Sequence, residues 1–555
     1  MRGDGTWRKY TATLATPDGV GVEAATFFLT SGGGGGDAWT LWLDGVSLFP
    51  GDAVAGLFRA DLFARLDALG PSFVRFPGGN YLEGTSLATR WNWLDALGDP
   101  AARPGHYNSA WGYWTTDGLG LYEYLRLCEA LGAAPQMSVY TGYSMGRPYV
   151  PLNESEPFVR AALDALEFAN GDAKATKYGR KRAAMGHAAP FGLARLEVGN
   201  EERLLGGPDG YNAHYRAITK ALWNRDPSVL VVASGRWEWP ANWTGVHGSP
   251  CVDNPGGYWP TKARCDIWDE HYYRTPDELA ALASSYDSYD RKKYPPVYVG
   301  EFAANGVNAT AGDAACGPLK AALAEAAFLM GFEKNADLVR ASSFAPLFGN
   351  VNYSPWAYNL VNFNASRSYT LPSYAAQRMF GAALRDGGGA RGPGAVTLAV
   401  RAANLTKAVA SASRWAPAAG GGQEAFVTIK ALNYGPDALS ARVALAGGPA
   451  AAAAGSGGLL LHGGDGVAVD PNANVTVLAG KPETCNSLDA PDAVAPTTHT
   501  LVVGDDGFDL PLAPWSLTFV RVRLVKAAAE QQLLSNKMLL LDPGINLLPV
   551  VGEMM

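Results

Sequence analysis

Much of what these 555 residues could do is excluded by what they do not contain. No run of 18 or more apolar residues occurs, so no membrane-spanning helix is expected. Cysteine is sparse: Cys128, Cys251, Cys265, Cys316 and Cys485 are scattered, and no CxxC pair occurs. That removes a zinc ribbon and a thioredoxin-type redox pair. Positive charge is not in excess. Forty-five Lys and Arg face 52 Asp and Glu, for a net charge of −7, which argues against a nucleic-acid partner. No glycine-rich phosphate loop follows any strand-like run, which disfavours a dinucleotide-binding fold. The N-terminus, MRGDGTWRKY, lacks the apolar stretch of a signal peptide. No cofactor and no metal are called for, so the chemistry should be carried by side chains.

What is present is globular and aromatic. Apolar residues make up 48% of the chain, with 16 Trp and 24 Tyr. Sugar-binding clefts use such rings as flat apolar platforms with polar edges, although most aromatics serve the core. The length is too great for one core, and two to four domains are expected. Residues 1–50 read as short alternating strands (TWRKYTATL, EAATFFLT, WTLWLDGVSLF) and look like the last few strands of something larger. Residues 51–385 alternate strands with amphipathic helices, the pattern of an α/β domain. Seven strands can be counted: PSFVRFP, APQMSVY, LARLEVG, VLVVAS, CDIWDEHYY, PVYVGE and VRASSFAPLF. A closed (β/α)8 barrel needs eight. Residues 386–525 return to β and predict a C-terminal β-sandwich, with a low-complexity loop near 447–458. Residues 526–555 form a tail that fits no domain. Cys251 and Cys265 flank a Pro/Gly-rich loop and could close a small disulfide; Cys128 should be a buried thiol.

Two glutamates carry the functional signal. Glu201 closes LARLEVGNE and Glu301 closes PPVYVGE, 100 residues apart. Barrel enzymes put their chemistry at strand C-termini. With about 31 residues per unit in a barrel of about 250, the two would sit three strands apart on one ring. A pair of carboxylates in that position is the apparatus for cleaving a glycosidic bond. Burial and the charge of Glu301 should raise the pKa of Glu201, so that it can protonate a leaving group while Glu301 attacks.

The segments FVRFPGGNYLEG, RWNW, RPGH, TTDGLGLYEYLRLCEALGAAP, VGNEE, YVGEFAAN and KNADLVRASSFAPLFGN occur in this order. Together they resemble the α-L-arabinofuranosidases of glycoside hydrolase family 51, and the plant-type branch in particular. The resemblance spans roughly residues 40–525. It implies a (β/α)8 TIM barrel with a C-terminal β-sandwich and retaining release of terminal arabinofuranosyl residues. It implies that Glu201 is the acid/base and Glu301 the nucleophile. Asn200 would bind the sugar's 2-hydroxyl, Asn80 would also contact the sugar, and Tyr273 would hydrogen-bond the nucleophile. Expected substrates are arabinan, arabinoxylan or arabinogalactan-type glycans.

Numbered by that resemblance, the seven strands run from two to eight. Strand one is therefore expected to be missing, with a gap between the FVRFP and VRASSFAPLF strands; the resemblance implies that residues 1–50 are the remnant of a carbohydrate-binding-type β-sandwich inserted after it, and the chain is expected to be truncated at its start. Seven N-x-S/T sequons, at Asn153, Asn242, Asn308, Asn352, Asn364, Asn404 and Asn474, favour a secreted, glycosylated full-length product. Two other readings stay open: a related retaining β-xylosidase or endoglucanase, and a glycan-binding fragment with impaired catalysis.

Overall fold

The structure is a computed structural model that describes residues 6–15, 42–202, 210–234, 265–292, 295–305, 316–356, 358–383, 396–398, 400–401, 408–415, 425–446, 458–462, 467–504 and 507–526. Residues 1–46 form a unit of their own. Within it, residues 6–15 and 42–46 carry no helix or strand and are exposed, as are residues 47–50 beyond it. The strands expected over residues 6–14 and 39–49 are thus not formed by the described residues. Alternating sequence makes a strand only where a neighbour supplies hydrogen bonds, and none of the described residues pairs with them.

From Ser47 onward the chain is a second unit. Its seven parallel strands are β1 (Phe73–Phe76), β2 (Ala134–Val139), β3 (Arg195–Val198), β4 (Leu230–Ala233), β5 (Ile267–Tyr273), β6 (Val297–Ala303) and β7 (Val339–Phe344). They pair in sequence order into a nearly closed barrel, with β1 and β7 at the two free edges. No eighth strand lies between them among the described residues. The strands are buried on both faces, as parallel strands covered by helices must be.

The helices follow their apolar spacing. Leu121–Leu131 buries Leu121, Tyr124, Leu125, Cys128 and Leu131, and ends at Gly132 with φ 59°. In Glu156–Asn170, Phe158, Ala162, Ala165, Leu166 and Ala169 are buried. Val159 and Leu163 are partly buried and pack against the same core. Leu319–Lys334 is buried all round, because the barrel lies on one side of it and the C-terminal sheets on the other.

Those sheets form the sandwich. One contains, in order, Val396–Leu398, Ala408–Trp415, Ala425–Asn433, Ser516–Lys526, Asn472–Ala479 and Thr497–Val502; Val467–Val469 also pairs with Ser516–Lys526. The other contains Val400–Arg401, Gly458–His462, Leu439–Ala446 and Phe508–Leu512. Ile429, Val443, Val475, Phe508, Leu510 and Val520 fill the space between them. The outer face of the first sheet packs on the barrel: Leu432, Leu478, Leu517 and Phe519 join Phe328, Ala376 and Phe380 in one core. At that junction Lys430 Nζ lies 2.6 Å from Glu333 Oε1, and the lysine side chain is fully buried. A Cys316–Cys485 disulfide ties the loop before Leu319 to the sandwich. Cys128 is a buried free thiol. Cys265 is disulfide-bonded; Cys251, its expected partner, lies outside the described residues, as does 447–457.

Candidate active site

Successive strand residues point to opposite faces. The inward positions of β1, β3, β5 and β6 converge at the C-terminal mouth of the barrel. Arg75, in the middle of apolar β1, is fully buried. Its Nε and Nη2 donate to Glu197 Oε2 and Oε1 at 2.5 and 2.8 Å, and Nη2 also reaches Asn200 Oδ1 at 2.8 Å. Its remaining arm, Nη1, donates to Glu301 Oε1 at 2.9 Å. Tyr273 Oη donates to the other oxygen, Glu301 Oε2, at 2.8 Å. Tyr272, one position earlier, points the other way and donates to Glu270.

Glu201 and Glu301 are not both strand ends. β3 stops at Val198, and Glu201 follows in a turn; Glu301 lies inside β6, two residues before its end. The turn depends on Gly199, whose φ is 83° and where a Cβ would sit 2.3 Å from Glu202 Oε1. Glu201 itself holds a φ of 43°, a conformation costly to a residue with a side chain and concentrated at functional sites. That geometry brings its carboxylate to His271, whose Nδ1 is 2.7 Å from Glu201 Oε1. His271 Nε2 is 2.8 Å from Asp269 Oδ2, and Asp269 Oδ1 accepts from Gly300 N at 2.9 Å. His271 and Glu301 are register partners across β5 and β6, beside a shift in the ladder at Glu270/His271. Such irregularities re-aim side chains near active sites.

One ligand atom from each of Glu201, His271 and Glu301 lies within 4.8 Å of the others. Three such groups could hold a metal by residue type. The surroundings of His271 favour its protonated form. Burial opposes charging the ring, but the charges of Asp269 and Glu301 and the hydrogen bonds to Asp269 and Glu201 outweigh it and hold its pKa well above the ordinary value.

Burial raises the pKa values of several carboxyls around the mouth. Burial raises the pKa of Glu201, and the charge of Glu301 adds to the rise against the hydrogen bond from His271. Burial pushes Glu202 up to about 8, despite hydrogen bonds from Thr141 and Tyr149. Glu197, beside Arg75, is raised to about 6, chiefly by burial. Asn80 opens a short helix and donates to Glu83 Oε2 at 2.8 Å. Burial raises Glu83 well above the ordinary range, and it also feels the charges of Glu202, Glu201 and Glu301. Asn200 is fully buried, and its Nδ2 has no hydrogen-bond partner among the described residues.

Sequence reasoning did not single out Arg75, Glu197, Asp269, His271, Trp111 or Trp356 as site residues. A signal existed for the first four. Arg75 is a lone charge in an otherwise apolar strand, Glu197 is a buried acid between Leu196 and Val198, and Asp269, His271 and Tyr273 recur with period two. The tryptophans had none. Trp356 packs against Tyr273 at 5.3 Å between centroids, and Trp111 packs edge-on against Trp356 at 5.8 Å.

Two family descriptions match the chain: the α-L-arabinofuranosidase 1 domain over residues 65–291, and the α-L-arabinofuranosidase C-terminal domain over residues 300–387. The chain belongs to the α-L-arabinofuranosidases of glycoside hydrolase family 51. α-L-Arabinofuranosidase 1 of Arabidopsis thaliana is 33% identical over 88% of this chain and 64% of its own length. An extracellular exo-α-L-arabinofuranosidase of Streptomyces chartreusis is 36% identical over 66% of this chain and 45% of its own. The chain therefore spans about half to two thirds of the length of such relatives. Among solved structures, the arabinose-bound MgGH51 α-L-arabinofuranosidase superposes with a TM-score of 0.69 at 29% identity, covering 85% of this chain and 68% of that one. The Thermotoga maritima α-L-arabinofuranosidase, at 19% identity and a TM-score of 0.57, covers 84% of this chain and 90% of that one, and shows the shared fold.

Proposed function

We propose that this chain is a retaining exo-α-L-arabinofuranosidase that removes terminal arabinofuranosyl residues from arabinose-containing glycans. The observation that carries this reading is the Glu201–Glu301 pair, with an oxygen of each within 4.8 Å of the other. Retention needs carboxyl groups about 5–5.5 Å apart, whereas inversion needs about 6.5–9.5 Å to admit a water. Family membership supports the choice of sugar over the β-xylosidase and endoglucanase readings.

The two carboxyls divide the work by environment. Glu301 is the nucleophile. Its side chain is 4% exposed, and Arg75 and Tyr273 each donate to one of its oxygens, which favours the ionised form and aims it. Glu201 is the acid/base. Its side chain keeps 20% of its surface exposed, as a group must that meets first a leaving oxygen and then a water. In the first step Glu301 attacks the anomeric carbon as Glu201 gives its proton to the departing oxygen. The negative charge of Glu301 then disappears into the ester. One cause of the raised Glu201 pKa goes with it, so Glu201 can accept a proton from the attacking water. Asn200 and Asn80 are sugar-contacting groups in this reading; the unpartnered amide of Asn200 is a donor awaiting an acceptor. Arg75 and His271 act through the carboxylates they hold.

Release of arabinose from an aryl α-L-arabinofuranoside, measured beside aryl xyloside and glucoside, tests the reading. Turnover of the arabinofuranoside alone is expected; preference for either pyranoside would overturn it. We also propose that the natural product is secreted and glycosylated. The extracellular Streptomyces relative and the sequons support this, Asn153, Asn352 and Asn474 being exposed. A mass unchanged by an N-glycan-removing enzyme would count against it.

A further inference from the structure

A surface of aromatic rings lies outside the pocket, and the reaction as described does not use it. The segment after β1 carries a two-stranded hairpin, His106–Asn108 with Tyr113–Thr115. Tyr107 and Trp114 are directly opposed in its register, so they share one face, and they are 47% and 64% exposed. Tyr353, from the loop beyond β7, joins them and is 55% exposed. Its hydroxyl donates to Gly112 O at 3.0 Å. The hydroxyls of Tyr353 and Tyr107 both lie over Gly112, 3.3 and 3.9 Å from where a Cβ on that residue would stand. Tyr353 also packs edge-on against Tyr113 at 6.5 Å between centroids, so the three exposed rings border one hairpin, brought together from segments about 240 positions apart.

The patch is fixed. The Trp114 indole Nε1 lies 3.1 Å from where a Cβ on Gly105 would be, so one edge rests on the hairpin's own backbone. The hairpin is pinned at its base. His106 Nδ1 meets Asp117 Oδ2 at 3.0 Å, and Arg103 bridges to Glu123 at 2.7 Å on the following helix. The patch is also continuous with the pocket. Trp111, at the hairpin's tip, packs on Trp356, and Trp356 packs on Tyr273, which holds Glu301.

We propose that Tyr107, Trp114 and Tyr353 form a platform for the sugar rings of the polysaccharide chain that bears the arabinofuranosyl branch. The inference rests on the arabinofuranosidase reading and deepens it, by making the preferred substrate a polymer and not a short arabinoside. Rigid rings with open faces and hydroxyl edges suit the C–H faces and hydroxyl rims of neutral sugars, and ordering them on binding costs little because the fold has already fixed them. Exposed aromatic groups in a contiguous patch mark an interaction surface. Continuity with the catalytic pocket selects the remainder of the substrate as its occupant.

The test compares a soluble arabinoxylan with an aryl α-L-arabinofuranoside, using the full chain. Trp114→Ala should lower kcat/KM on the polymer about tenfold, mainly through KM, and leave the aryl substrate within about twofold, the loss of one stacked ring being of that order. Trp114→Phe should recover most of the polymer activity. Tyr107→Ala asks the same question from the opposite strand, should Trp114→Ala fail to fold. Equal changes on both substrates, or none on the polymer with either variant, would overturn the platform. So would a change of sedimentation coefficient in Trp114→Ala with polymer activity intact, since the patch would then join copies of this chain. Failure of the underlying reading looks different: the unmutated chain would not turn over the aryl arabinofuranoside at all.

Discussion

The two faces of β5 hold buried acids in equal number and opposite circumstances. Inward, Asp269, His271 and Tyr273 meet Glu201, Glu301 and, through Glu301, Arg75. Outward, Glu270 accepts hydrogen bonds from Tyr272 and Tyr286 at 2.7 Å and from Tyr289 at 3.2 Å, between the barrel and its helices. Burial raises the pKa of Glu270 as it does that of Glu201. A perturbed carboxyl therefore does not mark a site by itself. The inward face mixes cations and anions, opens through Glu201 to the barrel mouth, and leaves the Asn200 amide without a partner among the described residues. Among the described residues, the hydrogen-bond donors to the outward acid are the neutral hydroxyls of Tyr272, Tyr286 and Tyr289, and Glu270 is buried.

If the comparison is right, the largest effect belongs to the inward nucleophile. Glu301→Gln should lower turnover on every arabinofuranoside by more than about three orders of magnitude, as loss of a covalent nucleophile does. Its melting temperature should stay near that of the parent, because the amide oxygen can still accept from Arg75 while the amide nitrogen donates to the Tyr273 hydroxyl oxygen. Turnover within tenfold of the parent would remove Glu301 from the chemistry.

Next in size is Glu201→Gln. It should cost about 10²–10⁴-fold on a substrate with a poor leaving group and far less on an activated aryl glycoside, since an acidic phenol departs without a proton. The pH profile should respond as well. Glu201 must be protonated for the first step, so activity falls as pH rises through its pKa. The raised pKa shifts that alkaline limb upward, and the limb should vanish from the first step in the variant. Equal losses on good and poor leaving groups would contradict the acid role.

The sequence revealed these two faces unevenly. The seven barrel strands were legible because strands buried on both faces read as short apolar runs, and Gly132 marked a helix end because only glycine is at ease there. Tyr273 and Tyr272 could be told apart in principle by the alternation of a strand. Arg75 and Glu197 were not recognised, because a charge between apolar residues looks the same whether it faces a site or breaks a pattern. Ala408–Trp415 was missed as a strand because its Ala and Ser residues have weak strand propensity. They are small because the strand lies against the barrel, where Ser411 donates to Glu333. The meeting of Trp111 with Trp356 is a property of the closed barrel, and no local pattern encodes it.

The smallest effect should come from the outward face, and it should appear as stability. Tyr286→Phe removes one donor to Glu270 and leaves part of a buried acid unsatisfied, at a cost of about 1–3 kcal/mol. Activity on an aryl arabinofuranoside should remain within about twofold, because the reacting groups lie on the far side of the strand. The pH dependence has a definite sign. A carboxyl whose pKa is raised on folding keeps its proton in the native state where the unfolded chain has released it. Its contribution to stability is complete below the unfolded value, near pH 4.5, and is lost as pH rises toward the folded value. Glu270→Gln cannot ionise and should flatten that decline, which urea unfolding at a series of pH values would measure. Should Tyr286→Phe instead abolish turnover with stability intact, the outward face would belong to the catalytic apparatus, and the contrast between the two sides of β5 would fail.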